Sequence, residues 1–225
     1  MMYKTISLIR GRQDESYDGF RTRIFAVCEQ INSANSAARL CVTLTEESPP
    51  RFSIIPFSKK KIAAVSFFDE SDAVKKLEGA EGFAGTFHVT EALPVSYQKT
   101  WTDGDVTPGV CLLTLFRQKP SIDYPTFIHR WHNSHTPLSL KIHPLWHYNR
   151  NVINESDPGD DITHYDGIVE EHFRDPSDLL NPFKFFGNPL IIIGRMLQVY
   201  IDVKSFIDYG SIESYMVREY WISDD

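Results

Sequence analysis

The sequence repeats one order of secondary structure twice, and this repeat limits the fold more than any other feature. In each half, the apolar spacing predicts a strand, a helix, two strands, a second helix and a strand. The β-α-β-β-α-β unit is the ferredoxin-like arrangement, in which one antiparallel sheet carries both helices on one face. The other sheet face needs a partner, so two units in one chain can pack these faces together.

The first unit is predicted for residues 1–101. Apolar residues from Phe20 to Ile31 recur at helical spacing, whereas prolines mark a loop over residues 46–58. The last strand of this unit is interrupted by Pro94. The predicted strands of the first unit are 3–10, 38–45, 61–68 and 86–97, and its second helix is 70–77.

The second unit is predicted for residues 110–225, after a linker of turn-forming residues at 102–109. Asp123 begins its first helix, Pro137 ends that helix, and Asp175 begins further helical pieces that run to about residue 203. The predicted strands of the second unit are 110–117, 146–154, 165–173 and 212–222. We therefore expect an α+β protein in which two tandem ferredoxin-like units form an α/β barrel within one chain. A homodimer is possible but is not required to complete this barrel.

The charge of the chain excludes several classes of partner. Its net charge is -7, which argues against binding to nucleic acid or to an anionic membrane surface. The longest apolar stretch, residues 189–203, is interrupted by Arg195 and Asp202 and is shorter than the ~20 residues of a membrane span. Three scattered cysteines do not form a disulfide framework. With no secretory signal recognised at the N-terminus, we expect a cytoplasmic protein.

Histidines are concentrated in the first helix of the second unit and just after it. His129, His132 and His135 are three residues apart, so successive side chains turn by about 60° and diverge. Adjacent pairs could share a metal ion, but the three together make a poor ligand set, and no metal site is predicted. His129 and His132 are assigned to the solvent side of the helix.

His135 differs from its neighbours because it follows Trp131 by four residues and shares the apolar stripe of the helix. That stripe is expected to face the sheet. Histidine changes its charge near neutral pH, so His135 in a pocket between helix and sheet can act as a general acid or base. The alternative is a histidine that binds the last carbonyl groups of the helix.

The stretch around His135 resembles the EthD-type signature, with an aromatic residue, Trp131, three residues, His135, a small residue and Pro137. Residues 148–152, 166–173 and 202–208 resemble later segments of the same family. The resemblance covers about residues 110–221. The first helix of the chain has neither Trp nor His, so the first unit is interpreted as a degenerate copy that supplies the second sheet.

The resemblance implies the dimeric α/β-barrel superfamily, which includes cofactor-less monooxygenases, cyclases, isomerases and haem enzymes. It further implies a pocket between sheet and helices, in which Asp166 or Glu170 orients His135 and aromatic side chains stack on the substrate. The alternatives are a plain core role for Trp131 and Tyr148 and a solvated strand edge for Asp166 and Glu170. The predicted binding residues are Trp131, Tyr148, Arg150, Asp166, Glu170 and His172, of which the strand residues Asp166, Glu170 and His172 share one face.

Two functions of different class are consistent with these residues. The first is an EthD-like small-molecule enzyme in which His135 transfers protons during cyclisation, dehydration or oxygenation of an aromatic or carbonyl compound. It is expected to need no cofactor, with haem as the alternative because a histidine between helix and sheet can be an axial ligand. The second is a non-catalytic binding or assembly protein of the same fold. An open cavity beside His135 favours the first function, and a filled core favours the second.

Overall fold

The fold is taken from a computed structural model that describes residues 4–34, 39–68, 73–157 and 164–224. Eight strands follow the predicted order, with boundaries within a few residues of those expected from the sequence. The strands are β1 Lys4–Arg10, β2 Leu40–Leu44, β3 Ile62–Phe67, β4 Phe83–Val95, β5 Val110–Phe116, β6 His147–Asp157, β7 Gly167–Phe173 and β8 Glu213–Ser223.

These strands form one closed antiparallel barrel in the order β1-β3-β2-β8-β5-β7-β6-β4. Each half keeps the ferredoxin-like order, in which its last strand lies beside its first strand and its third strand lies between the first and the second. The predicted α+β barrel within one chain is confirmed. The two sheets also join edge to edge: Thr43 of β2 pairs with Glu219 of β8, and Thr90 of β4 pairs with Val152 of β6.

The barrel encloses one core, and the helices bury the outer faces of its strands. The enclosed core includes Ile6, Phe87, Leu113 and Tyr215, all fully buried. Separate apolar clusters lie between the first half and its helix, and between the second half and its helices. Most strands therefore have two buried faces, which explains why buried runs replace a simple alternation of polar and apolar residues; β4, in which His88 and Thr90 are exposed, is an exception.

The helices begin close to the predicted cap residues. Asp123 accepts a hydrogen bond from the Thr126 N–H at 2.9 Å, and Asp175 accepts one from the Ser177 N–H at 2.7 Å. The start predicted for the second helix, near residues 70–72, lies outside the described residues. The helices are α1 Tyr17–Ala34, α2 Ala73–Glu78, α3 Tyr124–His129, α4 Thr136–Ile142, α5 Pro176–Leu180, α6 Pro182–Phe185 and α7 Ile192–Phe206.

The prediction that Pro137 ends the helix after Asp123 is wrong. A π-helical turn, Arg130–His135, links α3 directly to α4, so the helical path continues to Ile142. In this turn the Thr136 N–H donates to the Trp131 carbonyl, five residues earlier. The wider turn places Pro137 in the first turn of α4, where its missing N–H needs no partner.

The segment predicted as a linker runs along β8. The Thr107 N–H donates to the Glu219 carbonyl at 2.8 Å, and the Gly104 N–H donates to the Trp221 carbonyl at 2.7 Å. The division at residues 102–109 remains an expectation from the sequence. Among the described helices, none is long and apolar enough to cross a membrane.

Candidate active site

A cavity of about 200 Å³ lies between the outer face of the second-half sheet and its helices. Its walls are mainly aliphatic and aromatic, and its polar groups are few. The sequence predicts a pocket at this place between sheet and helices. The residues that line it include Trp131, His135, Ser139, Tyr148, Glu171 and Phe206.

His135 is held in one orientation by two hydrogen-bonding contacts. Its Nδ1 lies 2.7 Å from Asp202 Oδ2 of α7, and its Nε2 lies 3.2 Å from Ser139 Oγ, one turn further along the helix. Because a carboxylate accepts hydrogen bonds, Asp202 favours the tautomer with the proton on Nδ1. His135 Nε2 then has a lone pair available, and the Ser139 hydroxyl donates to it. The side chain of His135 is 14% exposed, which leaves its ring accessible from the cavity.

Trp131 packs the helical path of α3 and the π-helical turn against the sheet. Its ring meets Phe116 edge-on at 4.9 Å and packs 5.5 Å from Phe127. Gly167 of β7 makes this contact possible, since a Cβ there would lie 2.7 Å from the Trp131 ring and 2.5 Å from the Phe116 ring. The guanidinium group of Arg150 lies 5.9 Å from the centre of the Trp131 ring.

Tyr148 and Arg150 of β6 lie on the helix side of the sheet. Tyr148 is fully buried and lines the cavity. Arg150 donates from Nη1 to Thr136 Oγ1 at 2.7 Å, and Thr136 Oγ1 donates to the Trp131 carbonyl at 3.0 Å. Arg150 therefore stabilises the helical path around the π-helical turn, and it is absent from the cavity lining.

Glu171 is the acidic group of this cavity, and the sequence analysis missed it. Tyr148 pairs with Glu171 across β6 and β7, so both side chains point to the helix side. Burial raises the pKa of Glu171 from 4.5 to about 7. The cavity therefore contains a second group that can exchange a proton near neutral pH.

We expect Glu171→Gln to stabilise the protein at alkaline pH. Below pH 4.5 the carboxyl is protonated in both the folded and unfolded states, so it has no effect. Between pH 4.5 and about 7 the unfolded state loses its proton first, so the contribution of Glu171 to the free energy of unfolding falls as the pH rises. This difference in pKa corresponds to an expected gain of about 3 kcal/mol in the free energy of unfolding of Glu171→Gln at alkaline pH.

Urea unfolding at pH 4.5 and pH 8 measures this effect. The variant and the unmodified protein are expected to match at pH 4.5 and to differ at pH 8. Glu29→Gln, at an exposed position of α1, is the control and changes neither value. If Glu171→Gln instead lowers the free energy of unfolding at pH 8, the folded protein stabilises the ionised carboxylate of Glu171, and the prediction is wrong.

The predicted placement of Asp166, Glu170 and His172 beside His135 is wrong. Glu170 and His172 point into the barrel, because their neighbours on β7, Val169 and Glu171, are the residues on the helix side. Asp166 lies at the start of β7, where it accepts a hydrogen bond from the Gln118 N–H at 2.7 Å. Asp202, and neither Asp166 nor Glu170, is the carboxylate that contacts His135.

The remaining histidines of this region also differ from expectation. His129 is exposed as predicted, but His132 is half-buried, and burial together with Arg150 lowers its pKa to about 4. Within the described ranges, no group of three or more His, Cys, Asp or Glu residues is arranged to bind a metal ion.

The cavity beside His135 does not fit a haem group. Its volume of about 200 Å³ is below the ~300–1,000 Å³ typical of pockets for drug-sized ligands, and haem is larger than most of those ligands. Both ring nitrogens of His135 also have partners, Asp202 and Ser139. An axial ligand bond from Nε2 would have to displace the Ser139 contact.

The fold and this cavity define an α/β barrel of two ferredoxin-like halves with a His–Asp pair between sheet and helices. Residues 119–185 match the model of the EthD domain family, which confirms the predicted resemblance over this segment. The segment is shorter than half of the chain and contains the helical path with Trp131 and His135. A sequence comparison with curated proteins finds no match.

Solved structures share the whole fold. An anthrone oxidase-like protein superposes with a TM-score of 0.59 at 8% identity, over 99% of this chain and 94% of that chain. A proposed monooxygenase from Fusobacterium nucleatum subsp. nucleatum superposes with a TM-score of 0.53 at 9% identity, over 98% and 92% of the two chains. At these identities the likeness shows the fold alone and leaves the reaction open.

Proposed function

We propose that this protein is a small-molecule enzyme that transfers protons in the cavity beside His135. The substrate class is an aromatic or carbonyl compound with an acidic C–H or O–H group. The observation that carries the proposal is the 2.7 Å contact between His135 Nδ1 and Asp202 Oδ2 at the wall of an apolar cavity. The EthD match and the fold shared with an anthrone oxidase-like protein support the same class.

The proposed chemistry follows from the tautomer of His135. Nε2 accepts a proton from the substrate, and Asp202 stabilises the imidazolium that forms. Asp202 is thus a positioning residue, and His135 is the general base. Glu171, whose burial raises its pKa to about 7, is the second group in the cavity that can return a proton to another substrate atom. Such paired transfers are the common step of cyclisation, dehydration and the activation of an aromatic substrate for oxygenation.

Deuterium exchange tests this proposal without knowledge of the final product. A panel of aromatic ketones that includes anthrone is incubated with the protein in D₂O, and the loss of C–H signal is followed by NMR. We expect the protein to catalyse exchange in at least one member, and His135→Gln to lower the rate by about 10²–10⁴-fold. Asp202→Asn is expected to lower the rate less and to shift its pH profile, since the orienting carboxylate is lost.

The controls separate catalysis from folding. His129→Gln, on the exposed side of α3, should leave the exchange rate unchanged. Thermal unfolding of each variant reports whether the fold is kept. Equal exchange rates in His135→Gln and the unmodified protein, or binding of the panel without any exchange, would favour the non-catalytic alternative.

A second candidate is acyl transfer with Ser139 as the nucleophile. The specific observation is that Ser139 Oγ, His135 Nε2, His135 Nδ1 and Asp202 Oδ2 form one continuous series of contacts. This is the order of nucleophile, base and orienting carboxylate in serine hydrolases. Ser139→Ala separates the candidates: it should abolish ester hydrolysis in this case, whereas C–H exchange through His135 should persist. Mass spectrometry of the protein after incubation with an activated ester detects the acyl adduct.

A further inference from the structure

A second cavity, of about 310 Å³, lies inside one end of the barrel and is separate from the cavity beside His135. The β-sheet divides the two: adjacent residues of β7 point to opposite sides, Glu170 into the barrel and Glu171 towards the helices. The cavity opens to solvent near Leu93 and Ser96, which are exposed. Its deep wall is polar, in contrast to the apolar core that fills the rest of the barrel.

Carboxyl groups outnumber cations in the deep wall. Lys4 donates to Glu91 at 2.8 Å and lies 3.5 Å from Glu170, and all three side chains line the cavity. Burial lowers the pKa of Lys4, but Glu170 and Glu91 outweigh this effect and keep the pKa above its ordinary value. Glu219 is the third carboxyl group of the wall, and it accepts hydrogen bonds from Tyr97 at 2.6 Å and Thr107 at 2.8 Å.

At the rim, charges are paired within the protein. Arg39 and Lys99 contact Asp224 at 2.8 Å and 3.6 Å, and Lys99 also contacts Asp103, so two cations face two carboxylates at the rim. One ammonium group therefore faces three carboxyl groups in the deep wall. An anionic ligand would meet this excess of acidic groups, whereas a cation would balance it.

Two polar side chains that line the cavity have an atom without a hydrogen-bond partner in the described part of the chain. They are His147, through Nδ1, and Asn149, through Oδ1, and each residue is 7% exposed. Burial lowers the pKa of His147 to about 3, so the ring is neutral. Glu170 is also incompletely satisfied, since its contacts to Lys4 and Thr43 are long, at 3.5 Å and 3.3 Å. The Asn149 oxygen and the Glu170 carboxylate are acceptors, and buried acceptors that lack close partners favour a ligand that brings N–H donors.

Phe68, Leu93 and Trp221 add apolar surface to the wall of this cavity, and Leu93 is exposed at its opening. The guanidinium group of Arg39 lies 4.5 Å and 5.0 Å from the centres of the Phe68 and Trp221 rings, so these rings already contact one cation. A ligand that contacts both the carboxyl groups and these side chains has a charged donor group and an apolar body.

We propose that the barrel cavity is a second binding site, which takes a small protonated amine with an apolar or aromatic body. The ammonium group lies among Glu91, Glu170 and Asn149, and the apolar body extends past Phe68 and Trp221 towards the opening. This site is independent of the proton-transfer function proposed for the cavity beside His135.

Three matched probes test the charge preference: 2-phenylethylamine, 2-phenylethanol and phenylacetate, which share a phenyl body and differ in the charge of the end group. Isothermal titration calorimetry on the full chain at pH 7.5 is expected to detect binding of the amine. The alcohol should bind at least tenfold more weakly, and phenylacetate should not bind. Equal or tighter binding of phenylacetate, or binding of none of the three, would overturn the proposal.

Two adjacent glutamates supply a matched pair of variants. Glu170→Gln should weaken amine binding at least tenfold, whereas Glu171→Gln, one residue away on the opposite face of β7, should leave it unchanged. The reverse result would place the amine in the cavity beside His135 and reject the barrel site. Should Glu170→Gln not fold, Asn149→Ala serves instead, because it removes the unpartnered oxygen that is proposed to contact the ammonium group. Unchanged affinity in that variant would contradict the site.

Discussion

Trp131→Ala is expected to lower the free energy of unfolding by about 3–5 kcal/mol. The side chain is 1% exposed and joins the helical path to the sheet through its contacts with Phe116 and Phe127. Gly167 leaves room for the indole, so nothing on β7 can move in to fill the space that the truncation creates. The loss also removes the surface over which Arg150 lies.

Urea unfolding at pH 7 measures this loss in the free energy of unfolding. Trp131→Phe shows how much of the stability a smaller ring recovers. Phe52→Ala is the control, since Phe52 is 93% exposed and its truncation should change stability by less than about 0.5 kcal/mol. A cost below 1 kcal/mol for Trp131→Ala would mean that the helix is held on the sheet by other contacts.

Acid is expected to destabilise the fold through the histidines inside the barrel. Burial lowers the pKa of His147 to about 3 and that of His172 to about 4. Their rings lie 4.9 Å apart, so a proton on either one disfavours a proton on the other. Because the unfolded state binds protons near pH 6.5 and the folded state does not, the stability that these two histidines contribute is complete above pH 6.5 and is lost as the pH falls towards 4. Together the two pKa shifts correspond to a loss of several kcal/mol in the free energy of unfolding as the pH falls.

The measurement is the slope of unfolding free energy against pH between 6.5 and 4.5. The double variant His147→Phe and His172→Gln should show a shallower slope than the unmodified protein. His129→Gln, at an exposed position, should leave the slope unchanged. Equal slopes in all three proteins would mean that the barrel histidines are protonated in the folded state.

The order of the elements was predictable because amphipathic periods and turn residues are local signals. Asp123 and Asp175 each hold a backbone N–H at a helix start, and this chemistry can be read from a few neighbouring residues. The π-helical turn was not predictable in this way. Pro137 normally marks a helix end, and the hydrogen bond from Thr136 to the Trp131 carbonyl depends on how Trp131 packs against the sheet.

The candidate site was predicted in part. Trp131, His135 and Tyr148 lie around one cavity, but the sequence analysis assigned the wrong face of β7 to it. Both faces of that strand are buried, so the sequence lacks the polar–apolar alternation that would separate them. The pairing of Tyr148 with Glu171 determines which face of β7 lines the cavity beside His135. This register depends on how the strands pair and cannot be read from one strand alone.

Asp202 illustrates a different limit. It lies 67 positions from His135 in the chain and reaches it because α7 crosses the π-helical turn. The sequence places Asp202 in a helix of mainly apolar residues, where a lone carboxylate gives no indication of its partner. A half-buried charge in such a helix indicates that a partner exists without showing which residue it is.

The barrel closes where β8 pairs with β2 and with β5, and this has a consequence for how the chain acquires its structure during synthesis. Since β8 follows the other strands in chain order, the ribosome releases it after them, and until then the edges of β2 and β5 that it will cover have no partner. Exposed strand edges recruit other chains and promote aggregation. The pairs between β2 and β8 also join residues more than 150 positions apart, which slows folding. Until β8 is inserted, the nascent chain is therefore prone to aggregate with other chains through the exposed edges of β2 and β5. Insertion of β8 removes this risk.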